Sequence, residues 1–193
     1  APTTYAASLI RMSIEPDQVE IKTAEGKVDS SATYYHYRQH YWDNTDLTDE
    51  RILRAPVFQN KFDEYIGKVV PQIPDTINKL ADDLISRMSS TPELFKFAVH
   101  NITYKYETSE IMGMDAVFVH MAQSYYCPKG NEPSKATWMS KDKLDKLCER
   151  ARKQAPIVIG AKAKNIILTD TTEQRWIDMY KMPSEYVLIV FWD

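Results

Sequence analysis

Apolar residues recur at helical spacing from residue 57 to residue 153, and this periodicity predicts five consecutive helices. The helices are expected to span 57–70, 76–89, a stretch that starts at residue 92, 115–126 and 141–153. Their buried faces are predicted to carry Phe58, Phe62, Tyr65, Ile66 and Val69; Ile77, Leu80, Ala81, Leu84, Ile85 and Met88; Leu94, Phe95, Ala98, Ile102 and Tyr106; Ala116, Val119, Ala122 and Tyr126; and Leu144, Leu147, Cys148 and Ala151.

Capping residues and prolines separate these segments. Asp75, Thr91 and Ser140 are predicted N-caps, and Pro92 occupies the first helical position, which proline tolerates. The loops between successive helices are short, so neighbouring helices are expected to run antiparallel. The predicted fold class is therefore mainly α, an antiparallel array of helical hairpins.

The first 32 residues are weakly patterned. A short helix is predicted from Thr4 to Ile14, followed by a polar loop over residues 17–31. A helix from Ser31 to Trp42 follows, and Thr48 is expected to cap a short turn that runs through Leu53.

After residue 155 the pattern changes to short apolar runs that favour β-strands. Strands are predicted at residues 165–168, around 175–180 and at Tyr186–Asp193, where the continuous apolar run is typical of a strand covered on both faces. Such a strand needs neighbours, so we expect the chain to be a piece of a longer protein. The expected organisation is a poorly patterned segment at 1–32, a helical domain at 33–155 and the incomplete start of a second domain at 156–193.

The net charge and the hydropathy of the chain argue against nucleic-acid binding and against a membrane-spanning helix. The net charge of −3 and the absence of a basic stripe argue against nucleic-acid binding. The longest apolar run is far shorter than the ~20 residues that a membrane-spanning helix requires.

Cys127 and Cys148 match neither a Cys-x-x-Cys redox pair nor a zinc-ligand spacing. A disulfide between them would form only if their helices lay side by side, and two buried free thiols are the favoured expectation. Cys148 lies among apolar neighbours and Cys127 follows a helix C-terminus, so neither is expected to act as a nucleophile.

Two histidines of the Ser31–Trp42 helix and the acidic residue that follows it form a candidate metal site. His36 and His40 are spaced i, i+4, with Asp43 as a third candidate ligand, but Arg38 places a positive charge among them. A solvated or hydrogen-bonded pair is therefore favoured, and no metal, cofactor or catalytic residue is assigned. His100 and His120 are expected to be core or boundary residues.

An aromatic cluster forms the candidate binding surface, comprising Tyr34, Tyr37, His40, Tyr41 and Trp42. Rings of this kind can stack on a sugar or a peptide while their polar ends make hydrogen bonds. The favoured alternative is that the helix docks by its aromatic face on the next hairpin. Burial of the rings would remove the support for a binding surface.

Two stretches near the C-terminus resemble a known family. The run Ile159-Gly160-Ala161-Lys162-Ala163-Lys164-Asn165-Ile166-Ile167-Leu168-Thr169-Asp170 and the run Val190-Phe191-Trp192-Asp193 resemble the opening of thioredoxin-like domains of the TlpA/ResA and AhpC/TSA type. The resemblance implies that a redox Cys-x-x-Cys would follow within a few residues of Asp193. The reactive cysteines would then lie outside this chain.

The helical part has a resemblance of its own. Residues 41–61 and 97–120 look like a helical domain of unassigned function that precedes the thioredoxin-like domain in bacterial cell-envelope proteins. The resemblance implies a non-catalytic N-terminal accessory region of a periplasmic or envelope-associated thiol-disulfide oxidoreductase. Its expected partners are the downstream thioredoxin-like domain in cis, protein thiol or disulfide substrates and a second copy joined through the C-terminal strand. The alternative is a stand-alone helical module that binds a peptide or a glycan.

Overall fold

The computed structural model describes residues 4–17, 19–169, 172 and 175–190, and these residues form a mainly helical fold. The helices are α1 (Tyr5–Met12), α2 (Ser30–His40), α3 (Pro56–Glu64), α4 (Pro74–Met88), α5 (Pro92–Glu107), α6 (Asp115–Met121) and α7 (Lys141–Gln154). Short 3-10 turns occupy Glu50–Arg54, Ala155–Ile157 and Met179–Lys181, and strands β1 (Ile167–Thr169) and β2 (Trp176–Asp178) pair antiparallel. The predicted mainly α class with a few C-terminal strands is confirmed.

Proline marks the start of three successive helices. Pro56, Pro74 and Pro92 each stand in the first turn of α3, α4 and α5, where the amide hydrogen that proline lacks would have no partner within the helix. The predicted starts of these three helices hold to within two residues. The prediction that Asp75 caps α4 is wrong, because the cap position is Ile73 and Asp75 lies in the first turn.

Two other predicted caps have different roles. The turn at Glu50–Arg54 is capped by Asp49, whose carboxylate accepts a hydrogen bond from the amide of Arg51. The prediction that Thr48 caps this turn is therefore wrong. Thr91 precedes α5 as predicted, but its hydroxyl donates to the carbonyl oxygen of Thr48 at 3.0 Å instead of capping the helix. This bond joins the start of α5 to the loop after α2.

The buried apolar side chains of the described residues form one core, centred among α3, α4, α5 and α6. Its largest fully buried side chains are Trp42, Tyr126, Phe58, Phe62, Phe118, Ile52, Ile66, Ile77, Leu84, Ile85, Met88 and Leu94. Helices α4, α5 and α6 pack on one another, while α7 packs on α6 and the turn that follows it. None of the described helices has the length and apolar character needed to span a membrane.

Helices α3 and α6 both end in a π-helical turn. The turns are Tyr65–Val69 and Ala122–Tyr126, and each closes with a 2.8 Å hydrogen bond from the next amide, that of Val70 or Cys127. Together with these turns, α3 and α6 cover the predicted ranges 57–70 and 115–126. The wider turns place Tyr65, Tyr125 and Tyr126 in the buried part of the structure.

Cys127 and Cys148 form a disulfide, so the expectation of two free thiols is wrong. Cys127 follows the π turn after α6, and Cys148 lies in the middle of α7 on its buried face. Their Cα atoms are 5.5 Å apart, a normal separation for a disulfide. The bridge closes the loop between the π turn and α7 and ties α7 to the core.

The segment after α7 packs loosely. Gly113, whose φ is +86°, lies in the loop between α5 and α6, and a Cβ at this position would come within 3.3 Å of Ile159 Cδ1. The beginning of the segment after α7 therefore lies against the α5–α6 loop. The predicted strand at 186–193 is wrong over residues 186–190, which form no strand and are exposed, because no described strand lies beside them to accept their hydrogen bonds. Its last residues, Phe191–Asp193, lie outside the described residues.

We predict that reduction of the disulfide lowers the free energy of unfolding by about 3 kcal/mol, because the bridge restricts the unfolded chain across a loop of about 20 residues. Urea unfolding followed by circular dichroism, with and without a reductant, measures this difference. The matched control is the double variant Cys127→Ser/Cys148→Ser, on which the reductant should have no effect. A wild-type midpoint that does not move on complete reduction would contradict the prediction.

Candidate functional site

The five predicted surface residues divide into two groups. Tyr41 and Trp42 are only 3% and 2% exposed and belong to the core. The Trp42 ring lies 5.2 Å from that of Tyr65 and 6.3 Å from that of Phe58, measured between centroids. Tyr34, Tyr37 and His40 are half-buried on the surface of α2. The aromatic helix is thus docked through the residues at its end, while the rings before them border the solvent.

Tyr37 lies between two adjoining depressions, which together we name the Tyr37 cleft. One has a volume of about 210 Å³ and is lined by Met12, Ser13, Glu15, Pro16, Tyr37, Tyr41, Val57, Asn60, Lys61 and Glu64. The other has a volume of about 400 Å³ and is lined by Val19, Glu20, Val28, Ser30, Thr33, Tyr34 and Tyr37. Three of the five predicted surface residues therefore share one cleft, and neither His40 nor Trp42 lines it.

Lys61 is the cation of the Tyr37 cleft. Its Nζ donates to the carbonyl oxygen of Met12 at 3.2 Å and lies 5.1 Å from the centroid of the Tyr41 ring. Burial lowers the pKa of Lys61 below the usual value of lysine, and the carboxylates of Glu15 and Glu64 offset only part of that effect. The amine therefore lies close to an aromatic face and a backbone carbonyl, and it forms no ion pair within the described part of the chain.

Two of the three tyrosine hydroxyls of the cleft, those of Tyr37 and Tyr41, remain protonated at neutral pH. Burial, followed by the negative charge of Glu64, raises the pKa of Tyr41, whose hydroxyl donates to the carbonyl oxygen of Lys61 at 3.1 Å. Burial also raises the pKa of Tyr37, with smaller contributions from Glu15 and Glu64. The cleft thus combines phenol donors, a lysine amine, an Asn60 amide and carboxylate acceptors around an aromatic wall, which suits non-covalent binding of a polar ligand.

The two histidines of α2 contact each other, and one of them also contacts an aspartate. The His36 and His40 rings lie 4.4 Å apart between centroids, and His40 Nδ1 lies 2.6 Å from Asp43 Oδ2. Buried His36 Nδ1 has no hydrogen-bond partner among the described residues. Within those residues no group of three or more His, Cys, Asp or Glu side chains is arranged to hold a metal ion.

A hydrogen-bonded triad between α4 and the end of α6 was not predicted. One carboxylate oxygen of Asp82 lies 2.9 Å from His120 Nε2, and the other accepts a hydrogen bond from the Tyr125 hydroxyl at 2.7 Å. Burial and the Asp82 carboxylate both raise the pKa of Tyr125. His120 is a boundary residue, as predicted, whereas His100 is exposed and stacks on Tyr104, so the prediction of a core or boundary position for His100 is wrong.

Comparison with known proteins finds one family. A family model described as "Domain of unknown function (DUF5106)" matches residues 12–154, which include helices α2 to α7 and the Tyr37 cleft. No curated protein and no solved structure matches the chain. The matched range ends at Gln154, the last residue of α7, and includes both cysteines of the disulfide.

We predict that Lys61 titrates at a lower pH in the folded chain than in the unfolded chain. Because its folded-state pKa is the lower one, the charged amine costs stability at neutral pH, and that cost falls as the pH rises from the folded-state pKa towards the unfolded-state pKa. NMR of the lysine Cε resonances, with and without urea, measures both pKa values.

The variant Lys61→Met provides a second measurement. As the pH rises towards the ordinary lysine pKa of about 10.4, the unfolding free energy of the wild type should rise relative to that of the variant. A folded-state pKa equal to or above the unfolded one would exclude the proposed desolvation of the amine.

Proposed function

The chain belongs to the DUF5106 family of domains of unknown function, and we propose that it is the non-catalytic N-terminal accessory region of a cell-envelope thiol-disulfide oxidoreductase. In this role it positions a thioredoxin-like domain in cis, or the protein substrate of that domain. The reactive thiols belong to the redox domain, and the helical part supplies a rigid platform.

Exposed apolar residues after α7 carry this proposal. Leu168, Trp176 and Leu188 are 62%, 71% and 88% exposed, and further apolar side chains between residues 157 and 190 are similarly open to solvent. A soluble protein rarely leaves so many large apolar groups uncovered unless another folded unit covers them. The same segment contains the residues 159–170 that resemble the opening of a thioredoxin-like domain, and β1 forms within that run.

The disulfide supports an envelope location. Disulfides persist in oxidising compartments such as the bacterial periplasm and are rare where cytosolic thiols are kept reduced. Cys127 and Cys148 are both held in the bridge, and Cys148 is 8% exposed. In this proposal the two cysteines stabilise the fold and take no part in thiol exchange.

A second copy of the chain is a further proposed partner. Residues 186–190 present apolar side chains and backbone groups that no described strand pairs. In isolation this segment would pair with the same segment of another copy, because unpaired extended backbone readily adds to an available edge. In the longer protein, the thioredoxin-like sheet would occupy the same position.

The Tyr37 cleft favours a second candidate function, a helical module that binds a peptide or a glycan. Tyr34 and Tyr37 provide ring faces, and Lys61, Asn60 and Glu64 provide polar groups beside them. The two functions are compatible if the cleft binds the substrate that the redox domain acts on.

The redox proposal is tested on the longer gene product. The sequence after Asp193 should contain a Cys-x-x-Cys within a few residues, and the full protein should reduce insulin disulfides in the presence of dithiothreitol. The variant Cys127→Ser/Cys148→Ser should retain this activity, while serine in place of the downstream pair should abolish it. A downstream sequence without the motif, or activity that depends on Cys127, would overturn the proposal.

The binding proposal is tested on the chain itself with glycan and peptide arrays. Tyr37→Ala should abolish any binding, whereas Tyr104→Ala, which removes an exposed ring of α5 outside the cleft, should leave it unchanged. Equal binding by both variants would exclude the cleft, and this result is independent of the redox assay.

A further inference from the structure

A separate cavity of about 270 Å³ lies on another side of α2. Tyr35, Arg38 and Gln39 line it from α2, Tyr65 lines it from the π turn after α3, and Leu80, Asp83 and Arg87 line it from α4. None of these residues lines the Tyr37 cleft. The cavity contains two guanidinium groups and one carboxylate, so its formal charge is +1.

Aromatic rings hold the guanidinium of Arg38 in place. Its Cζ lies 4.8 Å from the centroid of the Tyr35 ring and 5.8 Å from that of Tyr34. The hydroxyl of Tyr34 donates to the carbonyl oxygen of Val69, which fixes this ring to the π turn. These contacts favour one orientation of Arg38 before a ligand arrives, which reduces the entropy lost on binding.

Both guanidinium groups remain available to an anion. Neither Arg38 nor Arg87 forms an ion pair within the described part of the chain, in contrast to Arg51 with Asp49 and Arg150 with Glu107. Both line the cavity together with Tyr65. Burial raises the pKa of the Tyr65 hydroxyl, and the charges of Arg38 and Arg87 oppose the increase. Two arginines that form no ion pair among the described residues thus line one partly enclosed space.

We propose that this cavity binds a small carboxylate ligand that carries a hydrogen-bond donor, such as a hydroxyl group, next to the carboxylate. Arg38 and Arg87 would donate to the carboxylate oxygens, a planar group that matches the guanidinium fork. Asp83 would accept from the neighbouring hydroxyl. The single negative charge matches the formal charge of the cavity, whereas a phosphate dianion would be repelled by Asp83.

The test uses glycolate, acetate and inorganic phosphate as probes, with NMR detection of the Arg38 and Arg87 Nε–H resonances. Glycolate should produce saturable shifts of both resonances and should bind more tightly than acetate or phosphate. Arg38→Gln and Arg87→Gln should each weaken glycolate binding by about tenfold, the effect of losing one charge-assisted contact. The matched control, Arg152→Gln on α7, removes the same charge outside the cavity and should leave the affinity unchanged.

Asp83→Asn gives a result that loss of folding cannot mimic. Removal of the carboxylate should tighten the binding of acetate and phosphate and should erase most of the preference for glycolate. The proposal is overturned if glycolate produces no saturable shift, if phosphate binds the wild type more tightly than glycolate, or if Arg152→Gln weakens binding as much as the cavity variants. The result of this test does not depend on the redox function proposed above.

Discussion

The packing of Trp42 against Tyr65 and Phe58 is the interaction on which the arrangement of α2 depends. The indole is 2% exposed and joins the end of α2 to both the helical and the π-helical part of α3. Aromatic pairs of this kind add about 0.5–1.5 kcal/mol each beyond the burial of their surface. Because α2 is fixed at this end, its other residues border two cavities: Tyr37 faces the cleft beside α1, and Arg38 faces the cavity beside α4. Both proposed ligand sites therefore include residues of the helix whose end this buried ring packs against α3.

The helices could be predicted because the prolines at their starts agree with the apolar periodicity that follows. Phe58 and Phe62 lie one turn apart, and Pro56 fixes the start of their helix, so the sequence determines both the element and its buried face. The disulfide could not be predicted in the same way. The spacing of Cys127 and Cys148 contains no information on whether the π turn after α6 brings one beside the other. The triad of Asp82, His120 and Tyr125 depends on the same contact between distant segments.

The candidate site was predicted only in part. The aromatic cluster on α2 was found, but spacing alone could not separate Tyr37, which borders a cleft, from Trp42, which is buried. Lys61 was missed because a lysine on an amphipathic helix is normally solvated, and only the approach of Met12 and Tyr41 makes it unusual. The strand predicted at the C-terminus depended on neighbours, and residues 186–190 show that a strong β propensity produces no strand without them.

The covalent loop between Cys127 and Cys148 has a consequence for resistance to proteases. The connection from Pro128 to Ser140 is largely exposed and includes Gly130, whose φ is +58°, so it offers an accessible peptide segment. A cut within this loop would produce two polypeptides that remain joined by the bridge, with α7 still held against α6. The nicked molecule would migrate as one species until its sulfurs were reduced. The domain can thus lose the continuity of its backbone without losing its shape.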